Sequence, residues 1–252
     1  MSGAALVTGA GVRIGRAIAE ALGRDGWAVA VHYRGSADAA EDTAAAIRAS
    51  GGRAATVQCD LGDPADVDTL VARAADALGT PLTCLVNNAS VFEDDRVGTV
   101  TRETWCLHMD ANLYAPLMLA QAFAGQLPET AEGHIVNIID QRVWALTPKF
   151  LSYTVSKAGL WTLTQTLAQA LSPRIRVNGI GPGPTLRNAR QSEADFAAQV
   201  EGVLLKRATD PEEIANAVRF LIATPSLTGQ MLALDGGQHL GWETPDVKDV
   251  NE

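Results

Sequence analysis

Short apolar segments alternate along the chain with longer, Ala-rich segments whose apolar residues recur every three or four positions. The short segments are typical of strands that are buried on both faces, and the longer ones of helices that cover a sheet. The predicted strands are 4–8, 28–33, 54–59, 82–87, 135–139, 175–180 and 231–234. The predicted helices follow the first glycine turn and then lie near 38–49, 64–77, 101–124, 152–171 and 211–223.

Strands and helices that alternate in this way build a parallel sheet with helices on both faces. The sequence therefore predicts an α/β fold, a Rossmann-type doubly wound parallel sheet, in one domain over residues 1–252. Ligands of such a sheet bind at the carboxyl ends of its strands. Two segments depart from the alternation: 181–210, predicted as a mobile substrate loop with a short amphipathic piece near 193–204, and a polar tail over 244–252.

The charge balance limits the partners of the chain. Lys and Arg number 20 against 29 Asp and Glu, a net charge of −9, which disfavours nucleic acid and anionic membranes as partners. No apolar run reaches the length of a membrane span. Cys59, Cys84 and Cys106 lack metal-ligand spacing, and we predict that they are buried free thiols. We therefore expect a cytoplasmic protein that binds a small molecule and no metal.

A glycine-rich turn, from Gly9 to Gly15, follows the first strand and leads into a helix. Strand, glycine turn and helix in this order suit a diphosphate, because glycines let the backbone approach it and the helix N-terminus stabilises its charge. The turn therefore predicts a dinucleotide cofactor.

Tyr153 and Lys157 lie four residues apart in a predicted helix, so their side chains share one face. An ammonium beside a phenol favours the phenolate, which lowers the pKa of the tyrosine and makes it a usable acid or base. Ordinary amphipathic helices also contain pairs of this spacing. The motifs upstream favour the catalytic interpretation here.

Several motifs taken together resemble the short-chain dehydrogenase/reductase family. They are the turn from Thr8-Gly9 to Gly15, Asp60-Leu61, Asn87-Asn88-Ala89-Ser90, Asn112, Tyr153-x-x-x-Lys157 and Pro182-Gly183. The resemblance spans about residues 4–237 and implies a nicotinamide cofactor and usually a homotetramer. It implies that Tyr153 donates a proton, that Lys157 holds the nicotinamide ribose and lowers the pKa of Tyr153, and that Asn112 fixes a water molecule of a proton relay.

Cofactor choice depends on the end of the second strand, where an enzyme that prefers NAD places an acidic residue for the ribose hydroxyls. This chain has no carboxylate there, and Arg34 and Ser36 are able to bind a 2′-phosphate. The sequence therefore predicts NADPH. Together with these residues, the family resemblance implies the following cofactor-binding set: Gly9, Arg13, Ile14, His32, Tyr33, Arg34, Ser36, Asp60, Leu61, Asn88, Ala89, Ser90, Tyr153, Lys157, Pro182, Gly183 and Thr185.

Asp140 stands where the family usually carries a serine, and no Ser or Thr occurs within 138–143. A serine at that point polarises a carbonyl, whereas a carboxylate repels a developing alkoxide. Ordinary ketone reduction is therefore a poor fit. The Asp140 carboxylate can instead accept hydrogen bonds from ring N–H groups or pass a proton toward Tyr153.

Arg13, in the place of the turn's middle glycine, together with Phe92 and Asp140, resembles the pteridine reductase branch of the family. In that branch the pterin stacks between the nicotinamide and the phenylalanine, the arginine reaches cofactor phosphates and pterin, and an Asp and Tyr pair handles protons. Stacking of a flat heteroaromatic ring on Phe is physically favourable. The implied substrate-binding residues are Arg13, Ser90, Phe92, Asp140 and Tyr153, and the implied catalytic residues are Asp140, Tyr153, Lys157 and Asn112.

Three functions remain open at this point. The first is an NADPH-dependent reductase of a pterin or folate, and the second is a general short-chain carbonyl reductase for ketones in which Asp140 is tolerated. The third is a catalytically silent NADP-binding regulator, which the intact Tyr153, Lys157 and Asn112 disfavour.

Overall fold

A parallel sheet of seven strands forms the centre of the fold in the residues that the structure describes, 3–188 and 190–242. The structure is a computed structural model. The strands are β1 (Ala4–Val7), β2 (Ala28–Tyr33), β3 (Arg53–Gln58), β4 (Cys84–Asn87), β5 (Gly133–Ile138), β6 (Ile175–Pro182) and β7 (Met231–Leu234). Their order is β3-β2-β1-β4-β5-β6-β7, and each neighbouring pair is parallel. The predicted Rossmann-type sheet is confirmed.

Helices cover both faces of this sheet, and the bounds are as follows. They are α1 (Arg13–Arg24), α2 (Ala37–Ala49), α3 (Pro64–Leu78), α4 (Arg102–Met109), α5 (Ala115–Gln126), α6 (Leu151–Leu171), α7 (Glu193–Glu201) and α8 (Pro211–Ala223). Side chains alternate along each strand, so Leu6 packs with α3 and α5 on one face while Val7 packs with α1 and α8 on the other. The two apolar cores leave the carboxyl ends of the strands uncovered by helices.

Local sequence features set several helix ends. α3 begins after Asp63, whose side chain accepts from the N–H of Ala65, and it ends at Gly79, which has a φ of 66°. α8 begins after Asp210, which forms a capping box with Glu213. These ends agree closely with the predicted ones.

The helix predicted over 101–124 is interrupted in the structure. α4 and α5 are separated by a π-helical turn over Asp110–Tyr114. Pro116 has no N–H to donate to the carbonyl of Asn112, so a regular ladder of helical hydrogen bonds cannot continue through this point. The turn directs Asn112, which is buried, toward the loop after β4.

Other expectations have mixed outcomes. Part of 181–210 is regular, because β6 extends to Pro182 and α7 forms within it, and the mobility of this segment stays a prediction.

Cys59 and Cys84 are buried free thiols as predicted, whereas Cys106 is only half-buried. The predicted tail over 244–252 lies outside the described residues. No helix in the described part of the chain is long and apolar enough to cross a membrane.

Candidate active site

A cleft of about 1350 Å³ runs along the carboxyl ends of the strands. Its lining includes every residue predicted to bind cofactor or substrate, and Asn112 lies outside it. A site for one drug-sized ligand usually measures roughly 300–1,000 Å³. The cleft is therefore large enough for a dinucleotide and a second ring together.

The glycine turn after β1 leaves its backbone open toward this cleft. Gly9 has a φ of 63°, and a Cβ on Gly15 would lie 2.3 Å from the Gly9 carbonyl oxygen, so no side chain fits there. Arg13 adopts a φ of 55°, the left-handed conformation that glycine favours. This conformation costs a non-glycine residue roughly 1–2 kcal/mol. Arg13 therefore holds a backbone conformation that a glycine would adopt without this cost.

The Arg13 side chain reaches across the cleft. Its guanidinium donates to the carbonyl oxygens of Leu186 and Arg187, each at 2.8 Å. It thereby bridges the glycine turn and the segment that follows β6. The predicted contacts of Arg13 with cofactor phosphates and pterin stay predictions.

His32 forms hydrogen bonds to the backbone of the glycine turn and of the residue that follows β3. Its Nδ1 accepts from the N–H of Gly9 at 2.9 Å, and its Nε2 lies 3.1 Å from the carbonyl oxygen of Cys59. A backbone N–H only donates and a carbonyl only accepts, so the ring is neutral with its proton on Nε2. Burial lowers the pKa of His32 to about 4. Although His32 lines the cleft, its hydrogen bonds are to the protein itself.

The end of β2 offers space for a phosphate. Arg34 and Ser36 are exposed there, and a Cβ on Gly35 would meet nothing within 4 Å. Within the described ranges, no carboxylate lies within ion-pair distance of Arg34. Nearby, Oδ1 of Asp60 accepts from the N–H of Gly62. These residues fit a dinucleotide that carries a 2′-phosphate.

The ends of β1 and β4 are joined by side chains beside the cleft. The Asn88 amide donates to the carbonyl oxygens of Thr8, at 2.8 Å, and Gly9, at 3.2 Å. The Thr8 hydroxyl accepts from the N–H groups of Asn88 and Ala89. This connection fixes the point from which the loop after β4 leaves the sheet.

Asp140, Tyr153 and Lys157 meet at the end of β5. The Tyr153 hydroxyl donates to Oδ2 of Asp140 at 2.8 Å, and Oδ1 of Asp140 accepts from the N–H of Arg142 at 2.8 Å. The Lys157 ammonium donates to the carbonyl oxygen of Ile138 at 2.8 Å. It lies 5.9 Å from the centroid of the Tyr153 ring. The structure thus brings together three of the four predicted catalytic residues.

Proton affinities in this group differ from the expectation. Burial and the carboxylate of Asp140 raise the pKa of Tyr153 well above its ordinary value. Burial also lowers the pKa of Lys157 to about 8, with Asp140 opposing that change. The pKa of Tyr153 thus lies above its ordinary value in this structure and not below it, and a contribution of Lys157 that lowers this pKa stays a prediction. Tyr153 keeps its proton and shares it with a carboxylate.

Asn112 uses its whole amide within the protein. Its oxygen accepts from the N–H of Val91 at 2.8 Å and the hydroxyl of Ser90 at 3.2 Å. Its nitrogen donates to the carbonyl of Val91 at 2.9 Å and the hydroxyl of Ser156 at 3.1 Å. An Asn amide has two donors and two acceptor lone pairs. These four hydrogen bonds occupy the donors and acceptors of the amide, and the predicted role of Asn112 in fixing a relay water stays a prediction.

An aromatic wall lines part of the cleft. Phe92 stacks on Phe150 with ring centroids 4.4 Å apart and meets the edge of Tyr153 at 4.6 Å. Phe150 has a φ of 56°, a conformation that is unusual for a bulky residue and is often kept at functional sites. Sequence reasoning found Phe92 but missed Phe150, because nothing in the sequence marks a left-handed aromatic residue.

Two arginines missed by sequence reasoning border this wall. The Arg142 guanidinium lies 5.2 Å from the Phe150 ring centroid, and that of Arg190 lies 5.4 Å from the Phe92 ring centroid. Arg190 also forms an ion pair with Glu93 and donates to the carbonyl of Phe92. In the part of the chain that the structure describes, no cluster of His, Cys, Asp or Glu could hold a metal ion.

Comparison with known families agrees with this geometry. A family model described as enoyl-(acyl carrier protein) reductase matches residues 9–239. The 3-oxoacyl-[acyl-carrier-protein] reductase FabG of Staphylococcus epidermidis is 31% identical over 245 residues, which are 95% of this chain and 100% of that protein. The chain belongs to the short-chain dehydrogenase/reductase family, as its motifs predict, and its site is that of an oxidoreductase.

Two solved structures are similar over nearly the whole chain. FolM alternative dihydrofolate reductase 1 from Brucella suis, in complex with NADP, is 51% identical with a TM-score of 0.93, covering 96% of this chain and 97% of that chain. The angucycline C-6 ketoreductase LanV with bound NADP is 35% identical with a TM-score of 0.88, covering 96% and 99%. Both hold NADP, the cofactor that the sequence predicts here. One is named a dihydrofolate reductase and the other a ketoreductase.

Proposed function

We propose that this protein is an NADPH-dependent reductase of a pteridine, of the dihydropterin or dihydrofolate type. The observation that carries the proposal is the carboxylate of Asp140, which holds the Tyr153 hydroxyl at 2.8 Å where the family usually has a serine. A carboxylate there repels an alkoxide but accepts N–H groups of a nitrogen heterocycle. The 51% identity to a protein named dihydrofolate reductase also supports it.

Cofactor binding follows from the residues at the strand ends. Arg34 and Ser36 would bind the 2′-phosphate, and the glycine turn with the first amides of α1 would bind the diphosphate. Lys157, whose ammonium points toward the end of β5, would bind the nicotinamide ribose. When bound, NADPH supplies a hydride to the substrate.

Substrate binding uses the aromatic wall of Phe92 and Phe150. A planar pterin gains stacking energy of about 0.5–1.5 kcal/mol against one such ring, beyond the energy of burying its surface. Asp140 has two carboxylate oxygens, and each retains acceptor capacity beside the single hydrogen bond it accepts. It can therefore orient the ring through N–H groups while Phe92 fixes its plane.

Proton delivery falls to Tyr153. Its raised pKa keeps the proton on the hydroxyl oxygen until a more basic ring nitrogen develops next to it. Transfer leaves a phenolate beside the carboxylate of Asp140, an arrangement that like charges disfavour. Lys157, with a pKa of about 8, is mostly charged at neutral pH and offsets this repulsion. Tyr153 thus holds the proton that is transferred, next to Asp140, and the charge of Lys157 compensates for the negative charge that the transfer leaves.

The proposal is tested by NADPH consumption with a panel of dihydropterins, dihydrofolate and simple ketones. We expect oxidation of NADPH with at least one dihydropterin or with dihydrofolate. Tyr153→Phe is the matched control, because its ring still packs against Phe92 but no hydroxyl donates. It should bind NADPH as the wild type does and reduce about a hundredfold more slowly or worse. A wild-type protein that consumes NADPH only with ketones contradicts the proposal.

A second candidate function is general ketone reduction. The similarity to a named ketoreductase, at 35% identity, and to FabG, at 31%, supports it. Asp140 weighs against it, because no hydroxyl replaces the missing serine within 138–143. The ketone arm of the panel tests this candidate directly.

A further inference from the structure

The loop after β4 is bound to the rest of the protein at every second residue. Val91 exchanges two hydrogen bonds with Asn112. The N–H of Glu93 donates to Nε2 of His108 at 3.0 Å. Asp95, the next residue in this alternation, is buried at 1% exposure. The first part of the loop, residues 91–95, is therefore held at three alternate positions.

Phe92 and Asp94 lie between these anchors. Phe92 lines the cleft, where it forms the aromatic wall with Phe150. Asp94 is exposed and forms an ion pair with Arg96 at 2.9 Å. Val91 and Glu93 are held through their backbone groups on either side of Phe92, so these hydrogen bonds fix the backbone from which the Phe92 side chain projects.

Asp95 belongs to a chain of three buried polar side chains. Its carboxylate accepts from the Ser152 hydroxyl, and Ser152 Oγ lies 2.7 Å from Nδ1 of His108. His108 and Ser152 have no exposed surface. The chain ends where Nε2 of His108 meets the N–H of Glu93. No substrate or cofactor residue predicted from the sequence takes part in it.

The direction of every hydrogen bond in this chain is fixed by its two ends. A backbone N–H only donates, so Nε2 of His108 must accept from Glu93, which leaves the ring proton on Nδ1. Nδ1–H then donates to Ser152 Oγ, and the hydroxyl must donate onward to a carboxylate that only accepts. His108 is therefore neutral in this arrangement. Burial lowers its pKa, in agreement.

The same carboxylate completes the first turn of α6. Phe150, the residue before α6, has no side-chain hydrogen bond to cap the helix. Asp95 provides two acceptors instead: its Oδ1 binds the N–H of Ser152 at 3.0 Å, and its carbonyl binds the N–H of Leu151 at 3.2 Å. A negative charge at a helix N-terminus is favourable. Tyr153, the proton donor, is the next residue of that turn.

We propose that Asp95, Ser152 and His108 form a positioning relay that fixes Phe92 on the loop after β4 relative to Tyr153 on α6. None of the three touches the cleft, so they act through the two residues that do. The relay depends on the proposed function in one respect only: the kinetic test of the relay needs a substrate, and the proposed function supplies the choice. Its hydrogen-bond directions stand on geometry alone.

Asp95→Asn tests the relay with almost no change of shape. If the new amide donates to Ser152, the serine hydroxyl must donate to His108. The imidazole would then have to accept at both nitrogens, which a neutral ring cannot do. One buried hydrogen bond is lost. We expect kcat to fall at least tenfold while the Kd for NADPH changes less than twofold. Asp94→Asn, at the neighbouring exposed position, is the matched control and should keep wild-type kcat.

The ring tautomer gives a test that needs no substrate. The ¹⁵N chemical shifts of the His108 imidazole in the wild type should show a proton on Nδ1 and none on Nε2 at pH 7. In Asp95→Asn the protonation of these two nitrogens should change, and amide exchange at Glu93 should become faster. An Nε2–H tautomer or an imidazolium in the wild type overturns the relay.

These readouts separate the relay from the proposed function. Kinetics are measured with whichever substrate the panel identifies, so a protein that reduces only ketones sinks the pteridine proposal but still tests the relay. Asp95→Asn with unchanged kcat and unchanged His108 shifts overturns the relay and leaves the pteridine proposal intact. Should Asp95→Asn fail to fold, Ser152→Ala replaces it, and wild-type kcat in that variant is equally decisive against the relay.

Discussion

The hydroxyl of Tyr153 donates to Oδ2 of Asp140 at 2.8 Å, and both groups lie at the end of β5. This pairing keeps the tyrosine protonated, because burial and the neighbouring carboxylate both raise its pKa well above the ordinary value. Burial lowers the pKa of the nearby Lys157 to about 8. At neutral pH the Tyr153 phenol therefore carries its proton, and the positive charge of Lys157 is lost when the pH rises through about 8.

The first prediction concerns the pH dependence of the free enzyme. Lys157 is charged below its pKa of about 8, so its charge is lost as pH rises through 8 instead of near the ordinary value of about 10.4. We expect kcat/KM for NADPH, which reports groups of the free enzyme, to fall above about pH 8. Lys149→Ala, at an exposed position on the cleft rim, should keep the same alkaline limb. A limb near pH 10 would show that burial does not perturb Lys157.

Arg34→Ala should weaken NADPH binding far more than NADH binding. The substitution removes a charge-assisted contact to a phosphate that NADH lacks. Such contacts contribute about 1.5–3 kcal/mol, roughly tenfold to a hundredfold in Kd. Titration of both cofactors into wild type and variant measures the difference. Arg48→Ala is the control, since Arg48 pairs with Glu41 on the surface of α2. An equal loss for both cofactors would assign the 2′-phosphate elsewhere.

His32 should make folding stability depend on pH between about 6.5 and 4. Its folded pKa is lowered to about 4, so the unfolded chain takes up a proton first as pH falls. Stability is fully present above the unfolded pKa and is lost as pH falls from about 6.5 toward 4, by up to about 3 kcal/mol. Urea unfolding at pH 7 and pH 4.5 should show a smaller loss for His32→Gln. His134, with a pKa also lowered to about 4, contributes alike to both proteins, so equal losses would refute the assignment to His32.

The fold was predictable because its information is local and periodic. Each buried strand is a short apolar run between helical patterns, and the glycine turn at Gly9 marks which strand end binds phosphate. The break at Asp110–Tyr114 was not predicted, since Pro116 is acceptable in the first turn of a helix and only the preceding helix makes it a disruption.

The candidate site was predictable only in part. Motif positions located Asp140, Tyr153 and Lys157, which do meet. The pKa directions were not accessible, because they depend on burial and on a hydrogen bond between side chains distant in sequence. The relay residue Asp95 was missed for a similar reason. Its partners lie far along the chain, and a single Asp in a polar loop has no distinguishing pattern.

Asp140→Ser separates the two enzyme functions most sharply. If the substrate is a pteridine, the variant loses the carboxylate that orients the ring and shares the Tyr153 proton. Pteridine reduction should then fall at least tenfold, the low end for a group of this kind, which contributes about a hundredfold or more. If the substrate is a ketone, serine restores the usual donor to the developing oxyanion, and the rate should rise instead.

Asp140→Asn completes this comparison, because the amide keeps the size of the side chain and an oxygen that can accept from the N–H of Arg142, as Oδ1 does in the wild type. It has no negative charge and accepts through one oxygen only. A pteridine reductase should therefore be impaired in both variants. NADPH consumption is measured for wild type and both variants with one dihydropterin and one ketone. Wild-type pteridine turnover in the serine variant would show that the carboxylate takes no part in the reaction, and the pteridine proposal would lose the observation that carries it.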